Sequence, residues 1–414
     1  MRRTLFAAVI LAVVAGSSFF PSARADAAPA VQAGDYIVVL KDGRDPVAAA
    51  AKYGVNPSAI YTAALSGYAG SLSAAQLKKI TADSGTSYVS PDKTWVVGDK
   101  PVVVDTPPQP DQFVTSGVRR IGGLLSPTAK IDGIDERVDI DVAILDGGID
   151  PTHPDLNVVG GVDCSAGQGH ADSNGHGTMV AGFVGALDNA IGRVGVAPGA
   201  RLWAVRVLNE NGFGSDSRIV CGIDWVTRHA DVIDVANMSL GGFEKRIDPC
   251  QVKNQNALHT AICKSVGAGV TYVVAAGNDT ADAGSYSPAA YPEVITVSAM
   301  ADSDGAPGGL GESLACLPEE DDTFAFFSNY GSVVDLSAPG VCISSTFPGG
   351  RYGLGSGTSY SSPLVAGAAA LYLATHPDAT PAQVRAALIA DREQIAFADD
   401  PDGIAEGVVN VAGY

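Results

Sequence analysis

Basic residues are scarce in this chain: 26 Lys and Arg stand against 45 Asp and Glu, a formal charge of -19 over 414 residues. Nucleic acids and anionic membranes are recognised by basic faces, so neither is an expected partner. None of the six cysteines (Cys164, Cys221, Cys250, Cys263, Cys316, Cys342) forms a C-x-x-C pair, which argues against a zinc site. Beyond the first 25 residues no segment reaches membrane-span length without a charge, Gly or Pro, so the mature chain is expected to be soluble. The glycine run Gly353-Leu354-Gly355-Ser356-Gly357 lacks the G-x-G-x-x-G spacing of a dinucleotide-binding turn. Internal repeats and low-complexity tracts are also missing.

What is present describes an exported globular protein. The chain is 46% hydrophobic and 17% charged, with 49 glycines for turns. Residues 1–25 combine Arg2 and Arg3, an apolar stretch from Leu5 to Val14 and the A-x-A site Ala23-Arg24-Ala25, as a removed secretion signal does. A secreted, extracellular product is expected, with no membrane anchor or added module before Tyr414. In an oxidising compartment an even cysteine count favours three disulfides. Of fifteen connectivities the sequential one, Cys164–Cys221, Cys250–Cys263 and Cys316–Cys342, is the expectation.

Residues 26–105 read as a small α/β sandwich: strand Tyr36–Leu40, helix Val47–Tyr53, strand Ile60–Tyr68, helix Ser73–Ala82 and strand Tyr88–Val97. The Pro-rich stretch from Gly98 to Gln112 reads as an unstructured linker. Residues 106–414 alternate near-continuous apolar strands (Asp141–Leu145, Leu202–Val207, Val235–Ser239, Val270–Ala276, Ile295–Ser298) with helical patterns. The expected fold is therefore α/β, three-layered, with a mostly parallel sheet flanked by helices. Ligands gather at the carboxyl ends of such strands.

Four residues stand at strand ends or helix starts. Asp146 ends the run Val142-Ala143-Ile144-Leu145-Asp146-Gly147-Gly148, where a turn Asp is the plain alternative. His176 lies in Asn174-Gly175-His176-Gly177-Thr178, where a capping or core His is the alternative, and Asn278 lies in Ala275-Ala276-Gly277-Asn278, a turn by itself. Ser359 opens a small-residue helix in Gly357-Thr358-Ser359-Tyr360-Ser361-Ser362-Pro363. Alone it is a helix cap; beside a base and an oxyanion donor it is a nucleophile, because a helix N-terminus favours negative charge. Strand ends and helix starts of one α/β sheet can converge on one cleft, and the four are expected to do so.

The order Asp, His, Ser and these four motifs, together with Asn237-Met238-Ser239-Leu240-Gly241-Gly242, resemble a subtilisin-like serine peptidase. An α/β-hydrolase esterase would set its Ser in G-x-S-x-G and order it first. The resemblance implies Ser359 as nucleophile, His176 as general acid and base, Asp146 as its orienting carboxylate, and Asn278 with the Ser359 N–H as oxyanion donors. It implies peptide-binding walls at Ser239, Leu240, Gly241, Gly242, Ala275, Ala276 and Gly277, with Tyr286, Ser287 and Pro288 at the rim, and a preference for apolar or aromatic residues before the cut. A structural calcium is implied, held by Asp155, Asn189 and the carbonyls of Leu187, Ile191 and Arg193. Residues 26–105 resemble the inhibitory propeptide of these peptidases, removed by self-cleavage between Gly98 and Gln112. Partners are then protein or peptide substrates and the chain's own propeptide, and a monomer is expected. Tyr360, Ser361 and Leu364 depart from the family pattern of Met, Ala and His. A catalytically silent peptide-binding relative is the competing reading, and it requires a lost triad or oxyanion residue.

Overall fold

A computed structural model describes residues 32–97, the backbone of 102–104, and residues 111–165, 167, 169–244, 249–250, 255–314 and 316–414. The expected secretion signal and most of the expected self-cleavage stretch lie outside the described residues.

Seven parallel strands form the central sheet, in the order Leu336–Pro339, Ile295–Met300, Thr271–Ala275, Val235–Met238, Asp141–Asp146, Arg201–Arg206, Val158–Asp163. Alternate residues of a strand face opposite sides, and both sides are apolar here. Val142 and Ile144 join a core with the helices His176–Gly185 and Thr358–Thr375. Ala143 and Leu145 join a second core with the helices Asp216–Arg228 and Ala257–Gly267. The three-layer α/β arrangement expected from the sequence is thus present.

The N-terminal unit pairs Ala59–Tyr61, Gly67–Leu72, Gly34–Leu40 and Thr86–Pro91 in an antiparallel sheet. Its helices, Pro46–Lys52 and Ala74–Thr81, start at Asp45 and at a Ser73/Gln76 capping box. Val38 and Leu40 pack under these helices, whereas Ile37 and Val39 enter the second core of the large domain. One sheet face therefore has its own cover and the other borrows it.

The strand expected over Tyr88–Val97 breaks at Asp92-Lys93, and Thr94–Val96 leaves its own sheet to pair with Phe213–Ser215. The strand expected over Ile60–Tyr68 likewise breaks into two, Ala59–Tyr61 and Gly67–Leu72. Within the stretch read as unstructured linker, Val102–Val104 forms a strand on Tyr352–Leu354. The three disulfides join the cysteines sequentially, as expected.

Candidate active site

Asp146 ends its strand fully buried, and its Oδ1 accepts the Gly147 N–H at 2.6 Å. Its Oδ2 lies 2.8 Å from Nδ1 of His176, also buried. A buried carboxylate at that distance fixes the proton on Nδ1 and leaves Nε2 as the basic nitrogen. His176 is the first residue of its helix, after Gly175 at φ 95°, a left-handed conformation that Gly adopts without strain. The helix has no side-chain cap at Gly175; Asp172 satisfies the turn instead. Its Oδ1 accepts the N–H groups of Asn174 and Gly175 at 2.9 Å each, and its Oδ2 accepts from the N–H and hydroxyl of Thr178 at 2.9 and 2.6 Å. Asp172 was not singled out from the sequence, although an Asp two residues before Asn-Gly is a turn signal.

Ser359 is the second residue of the helix Thr358–Thr375. Pro363, four residues on, has no N–H, so the Ser359 carbonyl lacks its ordinary helical partner. The Ser239 hydroxyl donates to that carbonyl at 2.7 Å instead, and the Ser359 hydroxyl donates at 3.4 Å to the Ser239 carbonyl. Ser239, expected only as a wall, also clamps the helix start. Tyr360 is fully buried, its ring centroid 5.6 Å from that of His176, so the unusual residue after Ser359 forms a floor beneath the imidazole.

Asn278 turns its amide oxygen to Thr358, accepting from the Thr358 N–H and hydroxyl at 2.9 Å each. Its NH₂ end is thereby the end that can donate to a ligand. The loop that carries it is held by Asn329, whose Nδ2 donates to the Ala276 carbonyl at 2.9 Å and whose Oδ1 accepts from the N–H groups of Asp279 and Ala281 at 3.0 Å each. Gly277 sits at φ 107°, and a Cβ there would collide with Asn329. Thr358 and Asn329 act on Asn278 through contacts that only the fold creates.

A cleft of about 610 Å³ is lined by Ser359, Asn278 and all seven expected wall residues, together with Tyr286, Ser287 and Ala289. Pro288, expected at the rim, does not line it. The chain's own segment Lys93–Val97 also lines this cleft. Gly214 pairs with Trp95, and the Val97 N–H donates to the Gly212 carbonyl at 3.0 Å. The expected edge at Ser239–Gly242 forms the opposite wall, and its own strand partner is Tyr286–Ser287, which pairs with Gly242–Phe243. Trp95 is buried against Gly242, where a Cβ would strike its ring, and its indole N–H donates to Asp216. Burial lifts the Asp216 carboxyl to about 6, despite the Trp95 hydrogen bond and the nearby Lys93 charge.

Carboxylates also close the seam between the two units. Asp92 of the N-terminal unit accepts from the N–H and hydroxyl of Ser217 at 2.8 and 2.7 Å, at the start of the helix Asp216–Arg228. In return, Oδ1 of Asp224 on that helix accepts from the N–H groups of Thr62, Ala63 and Ala64 at 3.0, 2.7 and 2.8 Å. Neither carboxylate was legible as a contact in the sequence.

At the expected cation loop, Oδ2 of Asp155 accepts from the Arg193 N–H at 2.9 Å and the Tyr352 hydroxyl at 3.1 Å. Its Oδ1 is fully buried, with the Asn189 side chain at the carboxylate. The Asn189 and Ala190 N–H groups donate to Gln112 Oε1, a residue not singled out from the sequence. The Arg193 guanidinium turns away, donating to Ser344 and lying over the Tyr352 ring at 5.0 Å. The guanidinium therefore acts on Asp155 by charge, while its own hydrogen bonds go to Ser344 and the Gly192 carbonyl.

The subtilase family model matches residues 138–404, and the peptidase inhibitor I9 model matches residues 49–97. The chain belongs to the subtilase family, with an I9 region before it. It is 44% identical over 252 residues to Subtilisin NAT of Bacillus subtilis subsp. natto, a match covering 59% of this chain and 58% of that protein. It is 35% identical over 396 residues to an extracellular serine proteinase of Thermus sp. (strain Rt41A), covering 87% and 85%. The crystal structure of a cold adapted subtilisin-like serine proteinase aligns at a TM-score of 0.55 and 33% identity, covering 71% of this chain and 96% of that one. Among the described residues no helix is long and apolar enough to cross a membrane.

Proposed function

We propose that the protein is a secreted serine endopeptidase made as a self-inhibited precursor, with a signal at residues 1–25, a propeptide at 26–105 and the peptidase at 106–414. The observation that carries this reading is the segment Thr94–Val97, seated as an extended strand in the cleft that holds Ser359 and Asn278. A strand bound through backbone groups is how a peptidase holds peptides of varied sequence. Ser359 Oγ attacks the carbonyl, and His176 Nε2 takes its proton and returns it to the leaving amine. Asp146 holds the imidazole tautomer and stabilises the imidazolium. The Asn278 NH₂ and the Ser359 N–H receive the oxyanion. Substrates are unfolded protein segments with apolar or aromatic residues before the cut, as the uncharged walls Leu240 and Ala275–Gly277 favour. The enzyme acts outside the cell as a monomer.

Calcium fits the Asp155 loop: the buried Asp155 carboxylate, the Asn189 amide oxygen and neighbouring carbonyls are hard oxygen donors. Asp155, Asn189 and the carbonyls of Leu187, Ile191 and Arg193 would hold it. Its contribution is structural, tying this loop to Asp155.

The test is to express the precursor and its Ser359→Ala variant, then follow mass, N-terminus and digestion of an unfolded protein. The wild type shortens between residues 98 and 112 and digests substrate; the variant stays whole and inert. If both stay whole and inert, the peptide-binding alternative replaces this reading.

A further inference from the structure

The loop Asp399–Gly407 lies outside the cleft, anchored beside the sheet-edge strand Leu336–Pro339 where the Ser337 N–H donates to the Gly407 carbonyl at 2.8 Å. Three of its acidic side chains, Asp400, Asp402 and Glu406, bring carboxylate oxygens within 4.8 Å of one another. Such a cluster alone means little. Glu406 changes its meaning: the residue is 2% exposed, and both of its carboxylate oxygens are buried without a hydrogen-bond partner among the described residues. The charges that act on it come from Asp400 and Asp402, both repulsive. Apart from its own backbone N–H, no group offsets the Glu406 charge; a buried carboxylate without a counter-ion is costly, and natural proteins pair such groups or use them on metals.

The two aspartates are arranged to help. Asp400 Oδ1 accepts the Asp402 N–H at 3.3 Å, and Asp402 Oδ1 accepts the Ile404 N–H at 2.8 Å. Each spends one oxygen on the turn and keeps the other for the cluster. The donors are all carboxylate oxygens on an irregular loop, which suits a hard cation of flexible coordination; no nitrogen or sulfur is offered to a softer metal.

Two other clusters show the contrast. Asp302, Asp304 and Asp321 lie beside Arg120, whose Nε is 4.0 Å from Asp302, so that group has a cation of its own. The cluster of Cys250, His259, Cys263 and Glu293 is closed by a disulfide.

We infer that Asp400, Asp402 and Glu406 bind one divalent cation, calcium by their chemistry, at a site separate from the Asp155 loop. The ion neutralises the buried carboxylate and pins residues 399–406 to the sheet edge. The inference does not depend on catalysis, so it is tested on the full-length Ser359→Ala chain, which does not digest itself. That parent and its Glu406→Gln, Asp402→Asn and Asp155→Asn derivatives are stripped with a chelator and titrated with calcium chloride by calorimetry, and their thermal midpoints are compared with and without calcium.

Glu406→Gln and Asp402→Asn should each bind one ion fewer per chain than the parent, and Asp155→Asn should keep the ion they lose. Without calcium, Glu406→Gln should melt at or above the parent, since it removes an uncompensated buried charge. With calcium the order should reverse. Unchanged stoichiometry in both Glu406→Gln and Asp402→Asn overturns the site. So does a Glu406→Gln chain that melts below the parent in chelator and keeps the full calcium response, which makes Glu406 an internal hydrogen-bonding group. Should Glu406→Gln fail to fold, the exposed Asp402→Asn decides by its ion count.

Discussion

Replacing Asp224 by Ala removes the single oxygen that accepts three N–H groups of the N-terminal unit, those of Thr62, Ala63 and Ala64. Asp224 is 1% exposed, so no bulk water takes its place. The three donors share one oxygen and their contributions do not add. Truncating one side of a buried charge-assisted contact costs about 2–5 kcal/mol, most of it from the groups left unpaired. Taking about 3 kcal/mol, binding of the propeptide should weaken roughly a hundredfold, at about 1.4 kcal/mol per tenfold. The assay is inhibition of the processed enzyme by an added peptide spanning residues 26–97, with a small chromogenic substrate as reporter. Asp224→Asn keeps an acceptor oxygen of the same shape but loses the charge, and should weaken inhibition roughly tenfold. Because Asp224 does not line the cleft, kcat/KM should stay near the parent value in both. An inhibition constant for Asp224→Ala within threefold of the parent would refute the reasoning, since three buried donors would then have gone unpaired without effect.

Two other carboxylates give further outcomes, one at the same seam and one at the helix start before His176. Asp216 is held at about 6 in the complex, above the ordinary 3.8, with burial as the main cause. A carboxyl raised on binding is protonated more readily in the complex, so its contribution is fully present below about pH 4 and is lost as pH rises through about 6. Propeptide affinity should fall by up to roughly a hundredfold between pH 4 and 8, and Asp216→Asn should flatten that slope; an equal slope in both would assign the titration elsewhere. Asp172→Ala leaves the turn and helix start before His176 without their acceptor, and should lower unfolding free energy by about 2–4 kcal/mol in urea melts of the Ser359→Ala chain. A loss below about 0.5 kcal/mol would show that water or neighbouring groups satisfy those donors.

The central strands were readable because each is apolar on both sides: Asp141–Asp146 is buried throughout, and its run of Val, Ala, Ile and Leu has no other stable place. The sheet's outer members were not. Val158–Asp163 contains Gly160 and Gly161 and is only partly buried, and Leu336–Pro339 is four residues ending in Pro. Their strand character comes from neighbours supplied by distant sequence. The same holds at the site. Asp146, His176, Asn278 and Ser359 sit in local motifs of glycine and small residues, which a single stretch can display. Asp172, Asn329, Thr358 and the Phe213–Ser215 edge matter through what they touch, and three of these contacts cross dozens of residues. The break at Asp92-Lys93 was hidden because Thr94–Val97 is apolar enough to continue the propeptide's own strand. Only the competing edge at Phe213–Ser215 draws it away.

The N-terminal sheet has two apolar faces but helices for one, and Ile37, Val39, Tyr61 and Ala69 complete a core that belongs to the other unit. Once the connecting chain is cut and the unit departs, that face meets water with nothing to replace the lost partner. On the proposed function, the freed segment would then unfold and become a substrate of the peptidase it restrained. Release would then be a ratchet: each liberated molecule would destroy part of the inhibitor supply for the rest, and a population of precursors should switch on late and steeply.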